Sequence, residues 1–251
     1  MTVPAIDQAL ETKASKAPLW EIAFLLGNER FALAGGCLVT DTPNDYDIYP
    51  MERGKKKFDR AFIKAGLQSL KKNHDCGVAF ESRNALTVTV DGKLLQFCDY
   101  AMTSASVPDK PSLVELVRSF DFTHVQVGIS FAPVYDDNGS ILTPVADLIY
   151  YTDAYLATLV TKQTEYSGTL YPIGALIRLR KYDKRGLVPT IQYRLTVLDL
   201  LADIINRGFV DYEDFKAQLE AIDLRVLEEN ESCSVWHLYK ICCERGLVRN
   251  V

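Results

Sequence analysis

Two glycines followed closely by an alternating acidic segment constrain this chain more than any other feature of its sequence. Gly35 and Gly36 follow a short apolar run, and residues 45–49 read Asp-Tyr-Asp-Ile-Tyr. Because side chains alternate along a strand, Asp45 and Asp47 project from the same face, about 7 Å apart. Glycines without a Cβ let backbone N–H groups approach a phosphate closely. The order predicts a strand, a glycine turn and an acidic strand at one site.

Two carboxylates on one face of a strand are suited to a shared divalent cation, because each negative charge repels the other without one. Asp99 ends a further predicted strand and is a candidate third ligand. Three carboxylates around two Mg²⁺ ions can bind a triphosphate, activate an attacking hydroxyl and neutralise the leaving pyrophosphate. The predicted catalytic and metal-binding residues are therefore Asp45, Asp47 and Asp99, with Gly35 and Gly36 as predicted phosphate-binding positions.

This order of residues resembles the signature of the DNA polymerase beta-type nucleotidyltransferase superfamily. It is most similar to the branch that holds the tRNA nucleotidyltransferases (CCA-adding) and the bacterial poly(A) polymerases. Residues 121–123, Asp-Phe-Thr, resemble a motif of that branch, and a Gly-containing turn and Asp-Leu at 147–148 follow as they do there. The chain also resembles small phage-encoded nucleotidyltransferase-like proteins. The resemblance covers roughly residues 31–185.

The resemblance implies an Mg²⁺-dependent enzyme that moves a nucleoside monophosphate from a nucleoside triphosphate, such as ATP, to an acceptor hydroxyl. Two Mg²⁺ ions are the implied cofactors. An RNA 3′ end, with tRNA as one candidate, is the first acceptor by family analogy, and a small molecule or a protein stays open. The resemblance also implies a ribose or structural role for Asp121. Arg178 or Lys181, in the basic helix of that branch, is predicted to contact phosphates.

Departures from the family pattern keep a second hypothesis open. Residues 38–41, Leu-Val-Thr-Asp, replace the family's Val-Arg-Asp, Phe120 replaces an arginine and Val125 replaces an asparagine. No clear Glu-Asp-x-x-Arg base-reading motif is present. The alternative is a catalytically degenerate nucleotidyltransferase fold that acts as a nucleotide- or protein-binding module.

Hydrophobic periodicity divides the chain into two parts. Asp91-Gly92 predicts a hairpin between two strands, and residues 121–131 predict another strand. From about residue 145 the apolar residues follow a helical period. The predicted fold class is α+β, with a small mixed β-sheet nucleotidyltransferase domain and its helices over 1–145 and an all-α region over 146–251. The predicted C-terminal helices span 145–164, 172–184, 190–206, 211–228 and 233–245.

Composition and charge place the chain among ordinary globular proteins. Its 251 residues are 48% hydrophobic and 24% charged, with a net charge of -5, so the whole molecule is not a general nucleic-acid-binding surface. No uninterrupted apolar stretch of about 18 residues is present, which predicts a cytoplasmic protein without a membrane partner. The six cysteines form no CxxC pair, which favours reduced thiols over a zinc site.

Overall fold

The computed structural model describes residues 2–51, 58–82, 85–99, 112–169, 172–188, 190–220 and 235–249. The chain divides into two compact units, Met1–Thr161 and Lys162–Val251. The first unit combines a sheet with helices, and the regular elements described in the second unit are helices. The predicted α+β fold class with a helical C-terminal region is confirmed.

One mixed sheet holds the first unit together. Its described strands are β1 (Phe31–Ala34), β2 (Asp45–Pro50), β3 (Cys76–Glu81), β4 (Ala85–Val90), β5 (Lys93–Cys98), β6 (Val127–Tyr135) and β7 (Ile141–Tyr151). The strand order is β3-β4-β5-β2-β1-β6-β7. Neighbours are antiparallel except β2 and β5, which are parallel. The parallel pair lies at the centre of the sheet, and β2 carries the acidic residues.

Helices surround the sheet in the first unit and form the second. The first unit contains α1 (Val3–Ala14), α2 (Leu19–Leu25), α3 (Gly36–Val39), α4 (Arg60–Leu70), α5 (Leu113–Arg118) and α6 (Asp153–Thr161). The second contains α7 (Pro172–Lys184), α8 (Thr190–Arg207), α9 (Tyr212–Glu220) and α10 (Val235–Glu244). None of the helices in the described ranges is long and apolar enough to cross a bilayer.

The two faces of the sheet bury different side chains. Phe31 and Leu33 of β1 belong to the larger core, which also includes residues of α1, α2 and α4. Ala32 and Ala34 point to the opposite face, where they pack against α5. Gly128 lies directly under α5, because an added Cβ there would come 2.8 Å from Leu113 Cδ1. The small residues on this face therefore let α5 pack close to the sheet.

The predicted hairpin at Asp91-Gly92 is present in the structure. β4 and β5 are antiparallel, with Ala85 opposite Cys98 at one end and Val90 opposite Lys93 at the turn. Both turn residues have positive φ, 48° for Asp91 and 78° for Gly92, as a two-residue turn of the primed type requires.

Two predicted elements differ from the structure. The predicted helix over 145–164 is the strand β7 followed by α6, because the apolar residues of β7 pair along β6. The predicted strand over 121–131 begins with a 3-10 turn at Thr123–Val125, and β6 starts only at Val127. The predicted domain boundary at 145/146 falls inside β7, whereas the compact units divide after α6.

The helices predicted further along the chain agree better with the structure. The predicted helix 172–184 has the bounds of α7, and the predicted helix 190–206 is one residue shorter than α8. The predicted helices 211–228 and 233–245 correspond to α9 and α10, and their residues 221–228 and 233–234 lie outside the described residues.

Candidate active site around the acidic strand

A glycine turn joins β1 to α3. Gly35 has φ 79° and ψ -136°, a backbone conformation that glycine adopts and other residues strongly disfavour. Its buried N–H donates to the carbonyl oxygen of Val127 at 2.9 Å, which fixes the turn against β6. Gly36 begins α3 and is exposed, and an added Cβ there would meet nothing within 4 Å. The turn therefore presents backbone to open space at its second glycine.

The acidic strand β2 alternates between a buried and a half-buried face. Tyr46 and Ile48 are 6% and 0% exposed and belong to the larger core. Asp45 and Asp47 are half-buried on the opposite face. The buried residues thus fix the register of the strand and hold both carboxylates on one side. The carboxylate of Asp45 forms no ion pair with any residue that the structure describes.

The glycine turn and the acidic strand meet in the structure. The antiparallel pairing of β1 with β2 places Leu33 opposite Ile48. The residue after Leu33, next to the turn, therefore lies opposite Asp47. A Cβ at Gly35 would lie 3.9 Å from Asp47 Oδ2 and 3.7 Å from the Phe120 ring. The structure thus brings together the turn and the strand that the sequence motif combines.

The charges of the two carboxylates act on the buried thiols and phenol around them. Burial raises the pKa of the Cys37 thiol, and the charges of Asp47 and Asp45 raise this pKa further. Burial also raises the pKa of Cys98 well above its ordinary value, with further contributions from Asp47 and Asp45. The pKa of Tyr49 rises for the same first reason, burial, and the nearby Cys98 and Asp47 add to it. A cation at this face would offset the part of these shifts that comes from the carboxylate charges.

Asp99 is placed differently from the other two predicted ligands. Its side chain is 3% exposed, and its Oδ2 lies 3.6 Å from Arg60 Nη2. Arg60 also donates to the carbonyl oxygen of Ser82 at 2.7 Å and lies over the ring of Phe58, which packs on Phe97. The carboxylate of Asp99 therefore has a structural partner, on the side of the sheet where Phe97 lies.

Strand register explains this placement. The parallel pairing of β2 with β5 sets Asp47 beside Gln96, and paired residues of parallel strands share a face. Asp99 follows Cys98, the last residue of β5, and its pair with Arg60 lies on the opposite face from Gln96. Within the described ranges, no three His, Cys, Asp or Glu side chains are arranged to hold a metal ion. The structure brings Asp45 and Asp47 together and does not add Asp99 to them.

Asp121 follows Phe120, whose ring lies beside the glycine turn. Phe120 packs its ring near Gly35 and 6.1 Å from the ring of Tyr49. Gln126 holds this segment in place, because its Nε2 donates to the carbonyl oxygen of Phe120 at 2.9 Å. Asp121 is 6% exposed, and the 3-10 turn that follows packs against α3. The segment lies beside the site, and a ribose contact by Asp121 stays a prediction.

The predicted phosphate-binding basic residues belong to the second unit. Arg178 is half-buried on α7, and its Nη1 lies 3.4 Å from the position of a Cβ at Gly174, one turn earlier. Lys181 is exposed on the same helix. Their contact with a phosphate stays a prediction.

Three residues of the site were not singled out as functional by the sequence. Tyr49 shares the face of Asp45 and Asp47, and strict alternation along 45–49 already indicates this. Cys98 interacts with Tyr49 through its side chain, which depends on the pairing of two strands distant in sequence. Phe120 counted only as a departure from a family pattern, whereas its ring packs next to the glycine turn.

Comparisons with known proteins give a partial likeness. No protein-family model and no curated protein sequence matches the chain. An apo form of a tRNA-processing enzyme is similar at TM-score 0.41 and 18% identity, over 98% of this chain and 64% of that chain. A tRNA-processing enzyme with CTP is similar at TM-score 0.44 and 17% identity, over 84% and 57%. Apo form II of a CCA-adding enzyme gives TM-score 0.42 and 13% identity, over 91% and 65%.

This chain spans less than two thirds of the length of each of these structures. At such TM-scores and identities, the likeness assigns neither a family nor a residue role to this chain.

Proposed function

We propose that the chain is a nucleotidyltransferase that moves a nucleoside monophosphate from a nucleoside triphosphate to an acceptor hydroxyl. An RNA 3′ end is the first acceptor of this proposal. The observation that carries it is the position of Gly35 beside the carboxylate of Asp47, with Asp45 on the same face of β2. A phosphate-binding turn and a pair of cation-binding carboxylates are the two parts that such chemistry needs side by side.

The donor set fits Mg²⁺. Asp45 and Asp47 offer hard carboxylate oxygens, which are the ligands that Mg²⁺ takes from proteins together with substrate phosphates and water. They are half-buried, so they are held by the strand and still reach solvent. Bound Mg²⁺ ions would neutralise phosphate charge and lower the pKa of an acceptor hydroxyl. In this proposal Asp45 and Asp47 hold the ions, and Asp99 stabilises β5 through Arg60.

The glycine turn has the properties of a triphosphate seat. Gly36 is exposed and leaves open space where a side chain would stand, so a phosphate can approach its backbone. Asp121 is proposed to contact the ribose. Arg178 or Lys181 is proposed to contact the phosphates, by analogy with the basic helix of the resembling family.

A second function is favoured by the position of Asp99. Among the residues that the structure describes, Asp45 and Asp47 share the acidic face and Asp99 pairs with Arg60, so a three-carboxylate set is not assembled there. The alternative is therefore a binding module that retains Mg²⁺ and nucleotide affinity without transfer.

A transfer assay separates the two functions. The full chain is incubated with Mg²⁺, an RNA pool that includes tRNA, and each of four α-labelled nucleoside triphosphates in turn. The enzyme proposal predicts label in RNA for at least one nucleotide. D45N and D47N should each lower the initial rate by at least a hundredfold, because the loss of a metal ligand removes most of the charge stabilisation.

D137N is the matched control, since Asp137 is exposed in the β6–β7 turn. It should transfer label at the wild-type rate. Binding of nucleotide by the wild-type chain without any transfer supports the binding module, and equal transfer by D45N, D47N and the wild type would contradict the proposed site.

A further inference from the structure

Three lysine side chains donate to backbone carbonyl groups at the end of α1 and in the loop that leads to β2. Lys13 Nζ donates to the carbonyl oxygen of Val39 at 2.7 Å, and Lys16 Nζ donates to that of Asp41 at 3.0 Å. Lys93 Nζ, from the first residue of β5, donates to the carbonyl oxygen of Lys16 at 2.7 Å. Backbone acceptors thus hold the three side chains in place around the loop that leads to β2.

The charge of this cluster is only partly neutralised. Lys13 pairs with the carboxylate of Asp41 at 3.5 Å. Lys16 and Lys93 are exposed, and neither forms an ion pair with a residue in the ranges that the structure describes. The hydrogen bond with His74 is the main cause of the lowered pKa of Asp91, and the charge of Lys93 contributes to it. The ammonium groups of Lys16 and Lys93 are therefore each held by a neutral carbonyl group in the same part of the fold.

The cluster lies at the end of the sheet where the acidic strand β2 begins. β2 and β5 are parallel, and Asp45 pairs with Leu94, the residue after Lys93. Strand geometry places the Cα atoms of Lys93 and Asp45 roughly 6 Å apart. Alternation directs Lys93 to the face of the sheet opposite Asp45. The ammonium groups and the carboxylate pair therefore lie on opposite faces at the same end of β2 and β5.

We propose that Lys16 and Lys93, supported by Lys13, bind the phosphodiester backbone of a single-stranded RNA acceptor. Ammonium groups that are held in place and form no ion pair in the described part of the chain attract phosphates without reading the base sequence. The two lysines lie near the point where β2 and β5 begin. An RNA strand that passes over this end of the two β-strands can bring its own end to the acidic face. The identity of the polyanion as the acceptor rests on the proposed function.

The cluster is too small for the common alternative, an anionic membrane surface. Recognition of acidic lipids through charge usually takes four to eight basic residues or an inserted apolar helix face. Here, of the three lysines, only Lys16 and Lys93, near the start of β2 and β5, form no ion pair within the described ranges, and Lys13 is paired with Asp41. The arrangement fits a narrow polyanion such as one nucleic acid strand.

The test measures RNA affinity in the absence of nucleotide and of Mg²⁺. The dissociation constant of the full chain for a labelled single-stranded RNA is determined at several salt concentrations, for the wild type and K16Q/K93Q. The double variant should bind on the order of tenfold more weakly at low salt. The slope of log affinity against log salt should decrease by roughly 0.7 for each lysine lost.

Two further variants make the result specific. K71Q/K72Q removes two exposed lysines at the end of α4 in the same unit and should bind like the wild type. K16R/K93R retains both charges and should restore affinity. Thermal unfolding of each variant shows whether the loop that Lys16 contacts is still folded.

The outcomes separate this proposal from the proposed function. Equal affinity and salt slope for K16Q/K93Q and the wild type would overturn the lysine site, even if the wild type transfers nucleotides. Selective loss of RNA binding in K16Q/K93Q, with no transfer by the wild type, supports the lysine site and contradicts the enzyme. Loss of binding to vesicles containing phosphatidylserine, with RNA affinity unchanged, would contradict an RNA ligand.

Discussion

Gly35 lies beside the carboxylate of Asp47 where β1 turns into α3. The point that a Gly35 Cβ would occupy is 3.9 Å from Asp47 Oδ2, and the backbone of Gly35 has a φ of 79°. Neither fact alone indicates a function. Together they place a turn that only glycine makes easily against a carboxylate that faces solvent in part, and this relationship supports the proposed triphosphate site.

Substitution of the two glycines tests the turn. G35A should destabilise the fold by about 2–3 kcal/mol, because alanine is strained at this φ and ψ. G36A should raise the free energy of unfolding by about 0.4–1 kcal/mol, because Gly36 is helical and its new methyl group meets open space. Chemical denaturation of both variants measures the difference. Equal stability of G35A and G36A would show that the conformation at Gly35 is not required.

How much of this site the sequence predicts depends on the range of the interactions. The face shared by Asp45 and Asp47 follows from alternation within five residues, and the prediction agrees with the structure. The position of Asp99 depends on which strand pairs with β2 and in which direction. A local sequence pattern gives neither the partner strand nor its direction. The sequence therefore predicted Asp99 as a metal ligand, whereas in the structure its carboxylate forms an ion pair with Arg60.

The same limit explains the misassigned segment after residue 140. The apolar residues of β7 occur at spacings compatible with a helix, and only pairing with β6 along most of its length makes it a strand. The 3-10 turn at Thr123–Val125 interrupted a predicted strand for a related reason. Its geometry depends on Gln126, which contacts the carbonyl oxygen of Phe120 and the hydroxyl of Thr152.

The Asp99–Arg60 pair should stabilise the fold. D99N and R60M should each lower the free energy of unfolding by about 2 kcal/mol, because each leaves a buried or half-buried partner without its opposite charge. A double-mutant cycle by urea denaturation should give a coupling energy of about 1 kcal/mol. Additive losses would mean that the two side chains do not interact, and an effect of D99N confined to Mg²⁺ affinity would indicate a metal ligand.

The His74–Asp91 pair predicts a pH dependence of stability. His74 Nδ1 lies 2.8 Å from Asp91 Oδ2. The hydrogen bond with Asp91 raises the pKa of His74 from its ordinary value of 6.5, and the same bond lowers the pKa of Asp91. The contribution of protonated His74 is fully present below pH 6.5 and is lost as the pH rises through its raised pKa in the folded chain.

Thermal unfolding between pH 5 and pH 9 measures this contribution. The melting temperature of the wild type should fall relative to that of H74Q as the pH rises above 6.5. Parallel curves for the two proteins across this interval would show that the pair does not titrate with folding.

The most direct measurement of the central claim is the affinity of the chain for a magnesium–nucleotide complex, by calorimetric titration with and without Mg²⁺. The wild type and D137N should bind at least one nucleoside triphosphate in an Mg²⁺-dependent manner. D45N and D47N should each weaken that binding by tenfold or more while their melting temperatures without ligand stay near the wild-type value. Mg²⁺-dependent binding that is unchanged in D45N and D47N would contradict the assignment of the acidic strand as the cation site.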